Sequence, residues 1–116
     1  MEAVFRGESG RLYRFAALRP GEAAPAAPAV YAFARAEGLS WRVLFLSRTA
    51  NLCARLARHE RWAEAELLGA THVLLHAPEA RDAREAVEAD LLGRLRPVLN
   101  GPSDAGAAVH VLRPAA

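Results

Sequence analysis

Apolar and charged side chains alternate through the first twenty residues, on both sides of the tetrapeptide GESG at 7–10. Alternation with a period of two is typical of β-strands, and the two glycines permit a tight turn between them. The pattern therefore predicts a β-hairpin within residues 1–20. Residues 21–28 are small and include Pro25 and Pro28, which predicts a connector because proline cannot donate to a sheet ladder.

Two longer apolar segments follow, AVYAFAR at 29–35 and WRVLFLS at 41–47. Only five residues separate them, so we expect an antiparallel pair joined by a hairpin connection. In the first of these strands, period two places Val30 and Ala32 on one face and Tyr31 on the other. The segment THVLLHA at 71–77 predicts one more strand.

Helical spacing of apolar residues appears between and after these strands. The first helix is expected to be capped by Ser47 or Thr49 and to run to about His59 or Arg61. A shorter helical segment over 61–70 ends at Gly69.

Pro78 is expected to open a third helix that runs to about Leu95. Its apolar residues predict a buried stripe and place Glu88 at the edge of that stripe. The elements together predict a small α+β domain over 29–100, with a mainly antiparallel sheet flanked by helices. The N-terminal hairpin packs on this domain, and 101–116 form a tail.

Composition narrows the setting of the domain. The 116 residues fit one domain, and no segment approaches the ~20 apolar residues of a membrane-spanning helix, so no membrane partner is expected. Cys53 is the only cysteine and cannot form an internal disulfide, which favours a reducing, cytoplasmic location.

The basic residues are all arginines, and several of them are concentrated between residues 42 and 61. They are Arg42, Arg48, Arg55, Arg58 and Arg61. A local basic surface suits a polyanionic partner, and the guanidinium group matches phosphate oxygens in two-point contacts. From charge alone, a solvated helix face is the favoured interpretation.

Five short segments follow one another in a particular order between residues 29 and 100. They are AVY at 29–31, FLS at 45–47, NLCARLARH at 51–59, VEADLL at 87–92 and RPVLN at 96–100. In this order they resemble the GIY-YIG nuclease superfamily. Its motifs are Gly-Ile-Tyr, Tyr-Ile-Gly, a helix start Asn-Leu-x-x-Arg-Leu-x-x-His, a helix with a glutamate, and Pro-x-x-Asn.

The resemblance implies cleavage of a phosphodiester bond with one divalent metal, Mg²⁺ or Mn²⁺. By position it assigns Tyr31 to activation of water, Arg55 to the scissile phosphate and Glu88 to the metal. His59 joins the catalytic group, and the nearby basic residues are expected to bind nucleic acid, with DNA favoured. These basic residues are Arg48, Arg58 and Arg61.

Three departures weaken the implied activity. Phe45 replaces the tyrosine of the second motif and has no hydroxyl group to relay a proton. Ser47 and Ala29 replace glycines, which restricts the backbone. Because losing a general base typically costs ~100- to 10,000-fold in rate, the sequence favours a nucleic-acid-binding domain with weak or lost cleavage.

Two other functions stay open. One is an active metal-dependent endonuclease that uses Tyr31 alone. The other is a protein-interaction module whose hairpin edge pairs with a partner or with a second copy in a homo-oligomer. Simpler structural roles also exist, such as a Tyr31 that packs against the helices and a Glu88 that pairs with Arg84.

Overall fold

The alternating segments of the sequence form the strands of one sheet. A computed structural model describes residues 1–78 and 80–101, and in it five antiparallel strands lie in the order β1-β2-β5-β3-β4. The strands are β1 (Glu2–Arg6), β2 (Leu12–Leu18), β3 (Ala29–Glu37), β4 (Ser40–Thr49) and β5 (His72–His76). All of the predicted tail except Gly101 lies outside the described residues.

The helices pack on both faces of this sheet. They are α1 (Leu52–Ala57), α2 (Trp62–Leu67) and α3 (Arg81–Leu95), and a 3-10 helix follows at Val98–Asn100. Among the described residues, no helix is long and apolar enough to cross a membrane. The predicted α+β class, with a small antiparallel sheet and an N-terminal hairpin, is confirmed.

Strand β5 joins the N-terminal hairpin to the rest of the sheet. It pairs with β2 on one side and with β3 on the other, so β3 lies between β4 and β5. The hairpin is also tied to α3, where the Asp90 carboxylate accepts hydrogen bonds from the Tyr13 hydroxyl at 2.7 Å and the Ser9 hydroxyl at 2.6 Å. The hairpin therefore extends the sheet and is part of the same packed unit.

Alternation along β3 divides the core into two clusters. Val30 and Ala32 pack on the α3 side of the sheet, with Val87 and Leu91. Tyr31 lies on the opposite side, in the cluster that contains the other two helices. The predicted division of the β3 side chains between the two faces is confirmed.

Helix α1 begins later than predicted. Neither Ser47 nor Thr49 caps it; Asn51 does, because its side-chain oxygen accepts the backbone N–H of Ala54 at 3.0 Å. Strand β4 continues through Thr49, and Asn51, just before α1, has the extended backbone that is typical of an N-cap.

The predicted ends of two helices were also wrong. Helix α1 stops at Ala57, since Arg58 has non-helical backbone angles, with φ −143° and ψ 57°. Helix α3 begins at Arg81 with Ala80 as its N-cap, so Pro78 precedes the helix. Both segments form helices as predicted, and only the predicted boundaries differ from those of the structure.

Candidate nucleic-acid interface

Tyr31 lies at the centre of the face that α1 and α2 cover. It belongs to the strand β3 and is 0% exposed. Its hydroxyl oxygen lies 2.6 Å from Nε2 of His59. Ser47 of β4 is directly opposite Tyr31 in the strand pair. The predicted tyrosine and histidine are therefore in contact, although 28 residues separate them in the sequence.

The turn after α1 brings His59 inward. Its ring makes edge-to-face contacts with Phe33 at 4.6 Å and with Phe45 at 5.1 Å between centroids. Its Nδ1 accepts the backbone N–H of Arg61 at 3.0 Å. We assign the proton of the neutral ring to Nε2, because Nδ1 is already an acceptor. Nε2–H then donates to the hydroxyl oxygen of Tyr31.

Burial keeps both of these groups uncharged. Desolvation and then the positive charge of Arg55 lower the pKa of His59 to about 4. Burial also raises the pKa of Tyr31 above its usual value, against the opposing effect of Arg55. At neutral pH the tyrosine stays protonated, and the histidine is neutral with both ring nitrogens engaged. Neither group is a ready general base in this arrangement.

Arg55 supplies the positive charge next to this pair. Its guanidinium pairs with the Glu60 carboxylate at 2.8 Å and lies 3.4 Å from the backbone oxygen of Arg58. The side chain of Arg55 is 32% exposed, whereas that of Glu60 is 66% exposed. Exposed ion pairs of this kind contribute little to stability.

The three arginines predicted to bind nucleic acid have different surroundings. Arg58 is exposed, and within the described residues its side chain makes no ion pair. Arg61 is largely covered and pairs with Glu64 at 2.8 Å. Arg48 faces α3, on the other side of the sheet from Tyr31. Arg48 therefore lies apart from Arg55, whereas Arg58 and Arg61 follow α1 on the side of the sheet that holds Tyr31.

Glu88 lies away from these residues. It belongs to α3, and its carboxylate forms an ion pair with Arg48, which also pairs with Glu85 at 3.4 Å. The predicted structural role, in which Glu88 pairs with Arg84, was wrong about the partner, since Arg48 contacts Glu88 instead. Glu88 and Tyr31 therefore face opposite sides of the sheet.

This placement does not fit a metal ion shared between Glu88 and the Tyr31 site. A guanidinium already neutralises the carboxylate that a cation would need, and the sheet separates that carboxylate from Arg55. Within the part of the chain that the structure describes, no group of three or more His, Cys, Asp or Glu side chains could hold a metal. The Mg²⁺ or Mn²⁺ site stays a prediction from the resemblance.

Backbone donors at the start of α1 are already used. The carbonyl oxygen of Ala27 accepts the N–H of Leu52 at 2.9 Å, and that of Pro25 accepts the N–H of Cys53 at 3.0 Å. Asn51 takes the next free donor. Contacts to an anion on this face must therefore come from side chains.

Two features of the face were not predicted. The prediction of a basic cluster gave no role to Glu60, although Glu60 is the partner of Arg55. A cleft between the loop at 18–24 and α1 was missed as well. The position of Glu60 beside several arginines was a signal in the sequence for the ion pair. No sequence signal indicated the cleft, because its two walls are distant in the sequence.

Comparison with protein-family models, curated proteins and solved structures gives no match to this chain. The likeness to the GIY-YIG superfamily thus depends on the five segments alone and stays a prediction. What the structure adds is the contact between Tyr31 and His59, with Arg55 beside it.

Proposed function

We propose that this domain binds nucleic acid through phosphate contacts from Arg55 and Arg58, and that it cleaves phosphodiester bonds weakly or not at all. One observation carries the proposal. A fully buried tyrosine hydroxyl and a neutral histidine hold each other beside a partly exposed arginine, so this face has a phosphate-binding group without a free base.

Charge and geometry favour phosphate as the ligand group. The charged partner of the Arg55 guanidinium is the exposed Glu60 carboxylate, which a phosphate could replace, and Arg58 follows at the end of α1. A planar guanidinium can donate two parallel hydrogen bonds to two phosphate oxygens. His59 stays neutral and adds no charge, which leaves these two arginines to set the affinity.

The same contacts oppose hydrolysis. A base for the attacking water needs a free lone pair within hydrogen-bond reach of that water. The Tyr31 hydroxyl is covered, and the Phe45 ring next to it, at 6.2 Å between centroids, has no hydroxyl to share. Both nitrogens of His59 are engaged. Tyr31 and His59 accordingly position Arg55 rather than activate water.

The protein-interaction alternative has weaker support. The open face of the N-terminal hairpin does expose Val4 and Leu12. Charged side chains stand between them on the same face, which is how edge strands avoid pairing with other chains. These are Glu2, Arg6 and Arg14.

Salt-dependent binding tests the proposal. Fluorescence anisotropy with labelled single-stranded, branched and duplex DNA should give affinities that fall as salt rises. Arg55→Ala and Arg58→Ala should each reduce the slope of log K against log salt by about 1, because one phosphate contact is lost. Arg94→Ala is the matched control, since Arg94 is an exposed arginine on α3. An affinity that changes neither with salt nor on substitution of Arg55 or Arg58 would refute the proposal.

A further inference from the structure

An apolar cleft opens beside His59, on the flank of α1 away from Arg55. Its volume is about 330 Å³, which is near the lower end of the range for small-molecule sites. The loop at 18–24 forms one wall, and Cys53, Leu56 and Ala57 of α1 form the other. Nothing in the proposed phosphate contacts uses this space.

The inner part of the cleft is aromatic. Phe33, His59 and Trp62 line it, and the ring of Phe33 meets the other two edge to face, at 4.6 and 4.9 Å between centroids. Phe33 is itself 0% exposed, so the rings of His59 and Trp62, packed on it at 72° and 75°, provide the aromatic surface of the cleft. An apolar cleft with this aromatic surface suits an uncharged ring that packs against aromatic and aliphatic side chains.

The lining of the cleft differs in charge from the surface beside it. The charged lining residues, Arg19 and Glu22, belong to the same loop and have opposite signs. His59 is neutral there because burial depresses its pKa. The interior therefore has no net positive charge for a phosphate, whereas Arg55 and Arg58 lie just beyond His59.

The geometry points to an unstacked nucleobase as the occupant of this cleft, with the adjoining backbone phosphates on Arg55 and Arg58. This inference rests on the proposed function and specifies its substrate class. The histidine ring is shared, since its Nε2 meets Tyr31 while the ring lines the cleft. His59 thus lies between the cleft proposed for the base and the arginines proposed for the phosphate. The two positions are neighbours, as the base and the phosphate of one nucleotide are.

An unstacked base is available in single strands and at branches, whereas a continuous duplex must first extrude one at a cost in free energy. The cleft accordingly favours single-stranded or branched nucleic acid. Loss of one stacked base typically weakens binding about tenfold or more. The same arginines would hold an abasic strand only by its phosphates.

The test compares an intact single strand of about 12 nucleotides with the same strand carrying abasic sites and with its duplex. Trp41→Phe leaves Trp62 as the only tryptophan and makes fluorescence a reporter for the cleft. The intact strand should quench Trp62 and bind about tenfold more tightly than the abasic strand, while both keep their dependence on salt.

Ala57→Leu narrows the cleft, and Ala54→Leu is its matched control on an exposed position of α1 outside the cleft. Ala57→Leu should weaken the intact strand about tenfold and leave the abasic strand unchanged, and Ala54→Leu should change neither. Equal affinities for both strands, with Arg55→Ala still weakening each, would overturn the base site and keep the proposed function. Absence of salt-dependent binding to any of the three would refute the proposed function itself.

Discussion

His59 determines much of the chemistry available to this face, because its ring contacts the buried tyrosine, the aromatic cluster and the cleft. The N–H of Arg61 on Nδ1 fixes the tautomer, and Nε2 is then committed to Tyr31. A histidine held in this way positions its neighbours and does not exchange protons near neutral pH.

We expect His59 to lower the stability of the domain in mild acid. With a folded pKa of about 4, it stays neutral while the unfolded chain takes up a proton below about pH 6.5. The free energy of unfolding should therefore fall as the pH falls from about 6.5 to 4, by roughly 1–2 kcal/mol, since water reaches part of the ring. Arg55, Arg61, Glu60 and Tyr31 are the charged or titratable groups around it.

Urea unfolding across this pH range measures the effect. His59→Gln is the matched variant, because it keeps a polar side chain without a group that titrates. The variant should lose less stability than the native chain over the same window, since the contribution of His59 is absent. Identical pH dependence in both proteins would contradict the neutral, buried histidine.

If Arg55 binds phosphate as proposed, we expect Glu60 to limit its affinity. Its pKa is lowered to about 2, chiefly by the hydrogen bond from Arg55, so it is ionised at neutral pH and competes with an anion. We expect Glu60→Gln to strengthen nucleic-acid binding by about two- to fivefold at low salt, and by less as salt rises. Anisotropy titrations measure this.

Glu66→Gln provides the control for that change. It removes the same charge from an exposed position of α2 that has no ion pair among the described residues. It should alter affinity only through the small change in net charge. An equal gain in both variants would show that Glu60 has no specific role at Arg55.

At the scale of elements, the 3-10 helix closes the edge of the sheet. The Asn100 side chain accepts the N–H of Leu46 at 2.8 Å and donates to its carbonyl oxygen at 2.7 Å. Strand β4 is an edge strand, and this amide pairs with it as a neighbouring strand would. The asparagine of the fifth segment thus has a structural role here.

Asn100→Ala should lower the free energy of unfolding by about 1–3 kcal/mol, because two partly buried backbone groups lose their partner. Asn100→Asp should also destabilise, since a carboxylate can accept from the N–H but cannot donate to the carbonyl. Urea unfolding of both variants against the native chain measures the loss. Stability unchanged by Asn100→Ala would remove this contact from the account.

Much of the secondary structure followed from local patterns. Period-two alternation identified the strands and placed Tyr31 opposite Val30, because side-chain direction in a strand is a local property. The same rule places Arg48 on the far face from Ser47, yet the basic residues were grouped by their position in the sequence. Sequence proximity was a poor guide where neighbouring residues of a strand point to opposite faces.

Contacts between distant segments were beyond the reach of the sequence. The insertion of β5 between β2 and β3, the pairing of Arg48 with Glu88, and the cleft all depend on packing between elements. The end of α1 at Ala57 also follows from the inward turn of His59 toward a buried tyrosine. Helix periodicity alone extended that helix too far.

At the scale of the whole molecule, the sheet separates two charged surfaces. Arg55 and Arg58 follow α1 on one side, while Glu85 and Glu88 engage Arg48 on the other. If nucleic acid lies on the α1 side, the carboxylate expected to hold a metal is remote from the bound phosphate. Binding and metal-dependent cleavage should therefore be uncoupled in this domain.

One measurement tests this most directly: labelled branched DNA is incubated with saturating protein, with and without Mg²⁺ or Mn²⁺, and then analysed for both complex and cleavage. We predict a complex that depends on Arg55, in which the DNA is cleaved weakly or not at all with or without the metal ions. Glu85→Ala serves as the control for Glu88→Ala, because both glutamates pair with Arg48. Metal-dependent cleavage that Glu88→Ala abolishes and Glu85→Ala preserves would contradict the account.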